Sequence, residues 1–210
     1  MEFKNEQKLQ DEKLKKLQES KVEVNQLDML DFKEDWQMSQ FWYTNETSNI
    51  MATEAVNSTE NNAIIGCIAS PSAFLALKKI NLGDRKPYVF EIDNRFNVFG
   101  KEFVHYDFNQ PLSLNDLEGT RPLLSSFDYL IVDPPFLAPE CFEKVSITID
   151  ALLKPNGKIM VASGLVMTDF VAGRLNCKRT CFDPKHRNGL SNEFGSFINY
   201  ESNSTEFRKI

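Results

Sequence analysis

From residue 63 to the carboxyl end, short runs dense in β-branched and aromatic residues alternate with longer amphipathic stretches. This alternation is the strongest constraint on the fold. Strands and helices that take turns along a chain build a mainly parallel sheet with helices on both faces. Strands are expected at residues 63–69, 88–92, 103–106, 129–132 and 158–162. Helices are expected from Pro71 to about Leu82, over 139–153 and over 166–175. Ser70 stands where an N-cap belongs, Pro71 at the first helical position, and Gly83 where the helix should stop. Two further runs, 178–182 and 194–200, read as a closing antiparallel pair. The sum is an α/β fold, a doubly wound sheet of seven strands.

The residues ahead of the alternation differ in kind. Residues 4–21 are dense in Lys, Glu and Gln, with Leu9, Leu14 and Leu17 as a thin apolar stripe. A second short helix is expected through Leu27, Met29, Leu30 and Phe32. Residues 1–35 are read as a charged N-terminal helical arm, either a solvated extension or a partner-docking helix, and 36–210 as the domain. At the junction, Asp35-Trp36-Gln37-Met38-Ser39-Gln40-Phe41-Trp42-Tyr43 holds both tryptophans of the chain. Either this cluster plugs the arm onto the core, or Phe41, Trp42 and Tyr43 line a substrate pocket. A polar stretch follows over 44–62, with a helix expected at 51–56.

Open α/β sheets bind ligands beyond the carboxyl ends of their strands. The first strand ends at Ala69-Ser70, the second offers Glu91 and Asp93, the third Asp107, and the fourth Asp133. A carboxylate after the second strand can accept both hydroxyl protons of a ribose, and a polar residue after the third can reach an adenine amino group. The fourth strand runs into Asp133-Pro134-Pro135-Phe136. Each proline fixes φ and lacks an N–H, so the carbonyls of this shelf are stiff and free to accept hydrogen bonds. Such a shelf suits an amino group about to be alkylated. The plainer reading is a Pro-Pro strand terminator beside a satisfied Asp.

These strand ends resemble those of class I methyltransferases that use S-adenosyl-L-methionine and carry an Asp/Asn-Pro-Pro-Phe/Tyr motif. That motif occurs in adenine-N6, glutamine and some lysine methyltransferases. The resemblance implies a Rossmann-like seven-stranded sheet. Phe90-Glu91-Ile92-Asp93 is similar to the second-strand motif of adenine dimethylases, which implies a ribose-binding role for Glu91. Tyr106-Asp107-Phe108 matches the adenine-contacting position, and Asp133 to Phe136 match the catalytic shelf, with Asp133 also beside the cofactor. The nonapeptide 35–43, Asp133 through Leu137, and Asn192-Glu193-Phe194 with Asn199-Tyr200 together resemble a narrower group, the eukaryotic elongation factor 1-alpha lysine methyltransferase family. The match runs over about residues 33–201. That family was first labelled an adenine-N6 DNA methyltransferase family because of its Pro-Pro motif. The resemblance implies a protein-lysine N-methyltransferase acting on elongation factor 1-alpha. The stretch Gly66-Cys67-Ile68-Ala69-Ser70-Pro71-Ser72 lacks the Gly-x-Gly loop common in class I enzymes, a departure this family shares. Ser70 and the start of the next helix are expected to serve in its place.

The residues themselves admit two nucleophiles. A lysine must first lose a proton, its ordinary pKa being about 10.4. Walls from Phe136 and Trp42 or Tyr43 would desolvate the amine and ease that loss. The Pro134 carbonyl and Asp133 could orient its N–H bonds, but an ordinary carboxyl pKa of about 3.9 makes Asp133 a poor general base. The alternative is an adenine of RNA or DNA stacked on Phe136, gripped by a basic groove of Lys178, Arg179, Lys185, His186 and Arg187. A net charge of −6 opposes whole-surface attraction to nucleic acid and fits a protein partner better. A non-catalytic cofactor-binding scaffold would be marked by lost strand-end acids, and they are intact. Cys177, Cys181 and His186 have partial metal spacing without a fourth ligand, so no metal is expected. Cys67 and Cys141 add no disulfide framework, and His105 reads as a pocket or core residue. With neither a signal peptide nor a membrane-length apolar run, the chain is expected to be cytoplasmic and off the membrane. A monomer is expected, although no residue pattern decides the oligomeric state.

Overall fold

In the computed structural model of the chain, residues 27–114 and 123–210 are described, and the helix expected over 4–21 lies outside them. A sheet of seven strands runs in the order β3-β2-β1-β4-β5-β7-β6. The strands are β1 (Ile64–Ile68), β2 (Lys86–Glu91), β3 (Phe103–His105), β4 (Phe127–Val132), β5 (Leu153–Gly164), β6 (Lys178–Arg179) and β7 (Phe194–Ile198). The pairs among β1 to β5 are parallel, whereas β7 lies antiparallel between β5 and β6. The doubly wound reading therefore holds, with β1 and β4 flanking the point where the strand order reverses.

Alternation along the strands sorts their side chains onto two faces. Ile65, Cys67, Tyr129, Ile131, Met160 and Ala162 enter one core. Their neighbours Ile68, Leu130, Val132, Ile159 and Val161 enter the other. Helices α1 (Asn45–Asn57) and α2 (Pro71–Lys79) supply the first core, and α3 (Pro139–Leu152) and α4 (Thr168–Leu175) the second. Leu27, Met29 and Phe32 are also buried in the first core. Phe32 lies on Phe96 with ring centroids 4.4 Å apart and planes 6° from parallel. A short 3-10 turn, Met29–Asp31, delivers these residues; Asp28 accepts from the Leu30 N–H and Asp31 from the Asp28 N–H.

Several boundaries move for identifiable reasons. Thr44 Oγ1 accepts from the Thr47 N–H, so α1 starts well ahead of residue 51. Helix α2 stops at Lys79 because Ile80 is extended; Gly83, at φ 59°, forms a later turn instead of the helix end. Strand β5 begins early, at Leu153, and residues 154–157 then bulge out around Asn156 at φ 65°. Pairing accordingly jumps from Phe127–Leu153 to Tyr129–Lys158. Strand β6 is only two residues long; at Thr180 the chain also bridges to Lys209, while the Thr180 N–H still bonds the Ser196 carbonyl. Strand β7 ends at Ile198, where the Asn199 side chain takes over the Ile159 N–H. Residues 166–175 divide into a 3-10 turn, Leu165–Met167, and α4. Two side chains contradict their expected burial. His105 is exposed at the end of edge strand β3, and Trp36 is 68% exposed, so only Trp42 of the two tryptophans packs inside.

Candidate active site

The carboxyl ends of β1, β2 and β4 open into a cavity of about 720 Å³, the size of a small-molecule site. Every site residue expected from the sequence lies on its wall: Ser70, Glu91, Asp107, Phe108, Asp133, Pro134, Pro135 and Phe136, with Phe41, Trp42 and Tyr43 over one side. The aromatic cluster both packs on the core and borders the cavity. Trp42 and Tyr43 are buried against the core and also face the cavity, while Phe41 is half-buried at its wall.

Beneath the cavity, β1 leaves the sheet through Ala69 at φ 50°, the left-handed conformation usually left to glycine. Its N–H bonds the Phe90 carbonyl at 2.8 Å, which fixes the turn. Ser70 holds the N-cap position of α2, but contrary to expectation its hydroxyl makes no cap bond. The Ser70 Oγ is buried without a hydrogen-bond partner among the described residues. A ligand group arriving at this helix start would satisfy it.

Glu91 is buried at the end of β2. Its Oε1 accepts from the N–H groups of Ile92 and Asp93 at 3.1 and 3.2 Å, leaving Oε2 uncommitted. Burial and then the nearby Asp93 charge push its pKa up to about 7, against those two backbone bonds and Arg95. Asp93, the other strand-end acid, has a different task. It accepts from Arg95 Nε and Gln40 Nε2, each at 2.8 Å. Gln40 in turn accepts from the Asp35 N–H and Arg95 Nη2. This buried network ties the aromatic segment to the end of β2.

Across the cavity, Asp133 continues β4, its N–H bonded to the Ile68 carbonyl at 3.0 Å. Desolvation pushes its carboxyl up to about 8, with Glu91 adding to the rise and Tyr43 opposing it. Asp133 is thus more basic than an ordinary aspartate. Pro134 is buried, and its carbonyl accepts none of the loop and turn backbone bonds of the described residues. Phe136, 46% exposed, meets the Phe108 ring edge-on at 5.8 Å, and the two rings form the outer wall.

The roof was not foreseen. Residues 42–44 pair with 185–187 through Thr44 N–H to the Lys185 carbonyl and Arg187 N–H to the Trp42 carbonyl. His186 lies 4.6 Å from both the Tyr43 and Phe194 rings. Burial drives its pKa down to about 4, so it is a neutral ring at neutral pH. Arg179 pairs with Asp183, and Arg187 contacts Asn45 and Asp28. Of the basic residues that the adenine alternative would need for its groove, Lys178 and Lys185 remain exposed. Among the described residues no group of three His, Cys, Asp or Glu side chains could hold a metal. Cys177 is a buried thiol pushed up to about 12 by desolvation.

A family model described as "Probable N6-adenine methyltransferase" matches residues 34–202. The chain belongs to that family. EEF1A lysine methyltransferase 1 of Gallus gallus is 39% identical over 178 residues, covering 85% of this chain and 81% of the relative. Protein-lysine N-methyltransferase EFM5 of Saccharomyces cerevisiae is 35% identical over 218 residues, covering 96% and 85%. Among solved structures, a branched-chain polyamine synthase C9 mutein from Thermus thermophilus aligns with a TM-score of 0.60 at 14% identity. It covers 85% of this chain and 63% of that one, and it supports the fold alone. As a family member, the chain is a class I methyltransferase whose cofactor is S-adenosylmethionine. The wall residues fit that molecule: a buried carboxylate with a free oxygen, an unpartnered hydroxyl at a helix start, and a glycine-like turn at Ala69.

Proposed function

We propose that the chain is a cytoplasmic protein-lysine N-methyltransferase and that its substrate is elongation factor 1-alpha. The observation that carries this reading is the facing of two acids across one cavity, Glu91 beneath and Asp133-Pro134 opposite, in a chain 39% identical to EEF1A lysine methyltransferase 1. No described helix is long and apolar enough to cross a membrane.

Glu91 would accept the ribose hydroxyls of the cofactor, and Asp107 with Phe108 would contact its adenine. Ser70 and the open start of α2 would take its amino-acid end. When bound, S-adenosylmethionine supplies a methyl group on a positively charged sulfur. The chain's own residues prepare the amine. Phe136, Phe108 and Tyr43 exclude water around it, which weakens the ammonium form. The Asp133 carboxylate takes one proton from the nitrogen and becomes the neutral acid, leaving the lone pair free. The Pro134 carbonyl accepts a remaining N–H and fixes the direction of that lone pair.

The test uses purified protein, labelled S-adenosylmethionine, and purified elongation factor 1-alpha beside total RNA and DNA. Label is expected on a lysine of the protein, falling by at least ~100-fold in Asp133→Ala. Label that survives protease and is lost to nuclease would replace this reading with adenine methylation.

A further inference from the structure

Tyr43 carries a feature that the reaction above does not use. Its side chain is 1% exposed, and its hydroxyl has no hydrogen-bond partner among the described residues. The ring cannot swing out to find one. Its backbone N–H bonds Ser72 Oγ at 3.3 Å, its flanking residues pair with 185–187, and His186 covers one face. A buried donor without an acceptor costs free energy, and in a clamped position that cost persists. The polar group it does feel is Asp133. The phenol is held well above its usual range, first by burial and then by the charge of that carboxylate.

The Asp133 carboxylate lines the same cavity as Tyr43, and the residue's backbone bond, from N–H to the Ile68 carbonyl, leaves the carboxyl group out. Glu91 faces it from the end of β2 as a second acid, Ser70 from the end of β1 carries no charge, and His186 behind Tyr43 is neutral. Tyr43 is the one neighbour that favours the ionised form.

We propose that Tyr43 is a positioning residue of the active site, its phenol O–H being the donor held for the ionised carboxylate of Asp133. This rests on the reading of Asp133 as acceptor of the substrate proton. With the O–H aimed at one oxygen, the other is left to face the amine. When Asp133 becomes the neutral acid the phenol bond weakens, so Tyr43 favours the state that begins each turnover. The phenol itself keeps its proton throughout.

The test is Tyr43→Phe, which removes one unpartnered oxygen and keeps the ring; its melting temperature should equal or exceed that of the unchanged protein. Activity against pH from 6 to 9.5 should show a rising limb displaced to higher pH by about one unit. The variant should therefore be roughly 10-fold slower at pH 6.5 and equal at pH 9.5, with S-adenosylmethionine affinity unchanged. A uniform loss at every pH, or no change at all, would overturn the proposal. A second readout is independent of any substrate: carbon-13 NMR titration of the Asp133 carboxyl in both proteins. A midpoint that rises in Tyr43→Phe supports the pairing even if elongation factor 1-alpha is not the substrate, and an unmoved midpoint refutes it.

Discussion

Glu91 should make cofactor affinity depend on pH near neutrality. Burial pushes its carboxyl up to about 7, and an ionised Oε2 can accept from both hydroxyls of a ribose diol, whereas a protonated Oε2 is itself a donor. If only the ionised form binds, the apparent Kd scales as one plus the ratio of protonated to ionised Glu91. That factor is roughly 11 at pH 6, 2 at pH 7 and close to 1 at pH 8, a span of ~10-fold. Isothermal titration calorimetry with S-adenosylmethionine in buffers of different ionisation enthalpy reads both the span and the proton released, about half a proton at pH 7. Glu91→Gln should bind more weakly at pH 8 and show a flat profile. The same shift has a sign in stability. A carboxyl whose folded pKa is raised stabilises the fold at low pH and loses that contribution as pH climbs from about 4.5 through 7. Glu91→Gln should therefore gain melting temperature relative to the unchanged protein as the pH rises. An affinity constant between pH 6 and 8 in the unchanged protein would refute the argument.

Phe32→Ala removes a ring that is 1% exposed and stacked on Phe96, and should cost about 3–5 kcal/mol by urea denaturation. A loss below about 1 kcal/mol would show that residues around Phe32 are not integral to the first core. Gly66→Ala would place a Cβ 2.6 Å from Leu130 Cδ2 and 3.0 Å from the Phe127 ring, inside a filled core. It should destabilise by about 1–3 kcal/mol in the same assay, and a neutral result would mean that the second core has slack.

The fold was legible where local signals agreed. Alternating faces in β4 and β5, prolines at the starts of α2 and α3, and acids at three strand ends all pointed to one architecture. The site was legible for the same reason, because strand ends must converge in such a sheet. What stayed hidden depends on contacts between distant residues. Gln40 carries no motif of its own in the sequence, yet it joins Asp93 and Arg95, more than 50 residues away. His186 looked like part of a basic cluster, and only its position between Tyr43 and Phe194 makes it a neutral ring. The basicity of Asp133 was out of reach for a similar reason, since desolvation is a property of the assembled cavity. Ala69 in a left-handed turn carries no sequence signature at all.

The placing of β7 between β5 and β6 has a consequence for synthesis. Strand β6 emerges from the ribosome before β7 but pairs with the sheet only through it. The segment between them carries His186, which covers Tyr43, and Phe194, which abuts His186, begins β7. A growing chain can thus assemble β1 to β5 while its catalytic chamber still lacks a roof. The part of the wall that Phe194 supplies against His186 is completed only once residues 194–198 pair with β5.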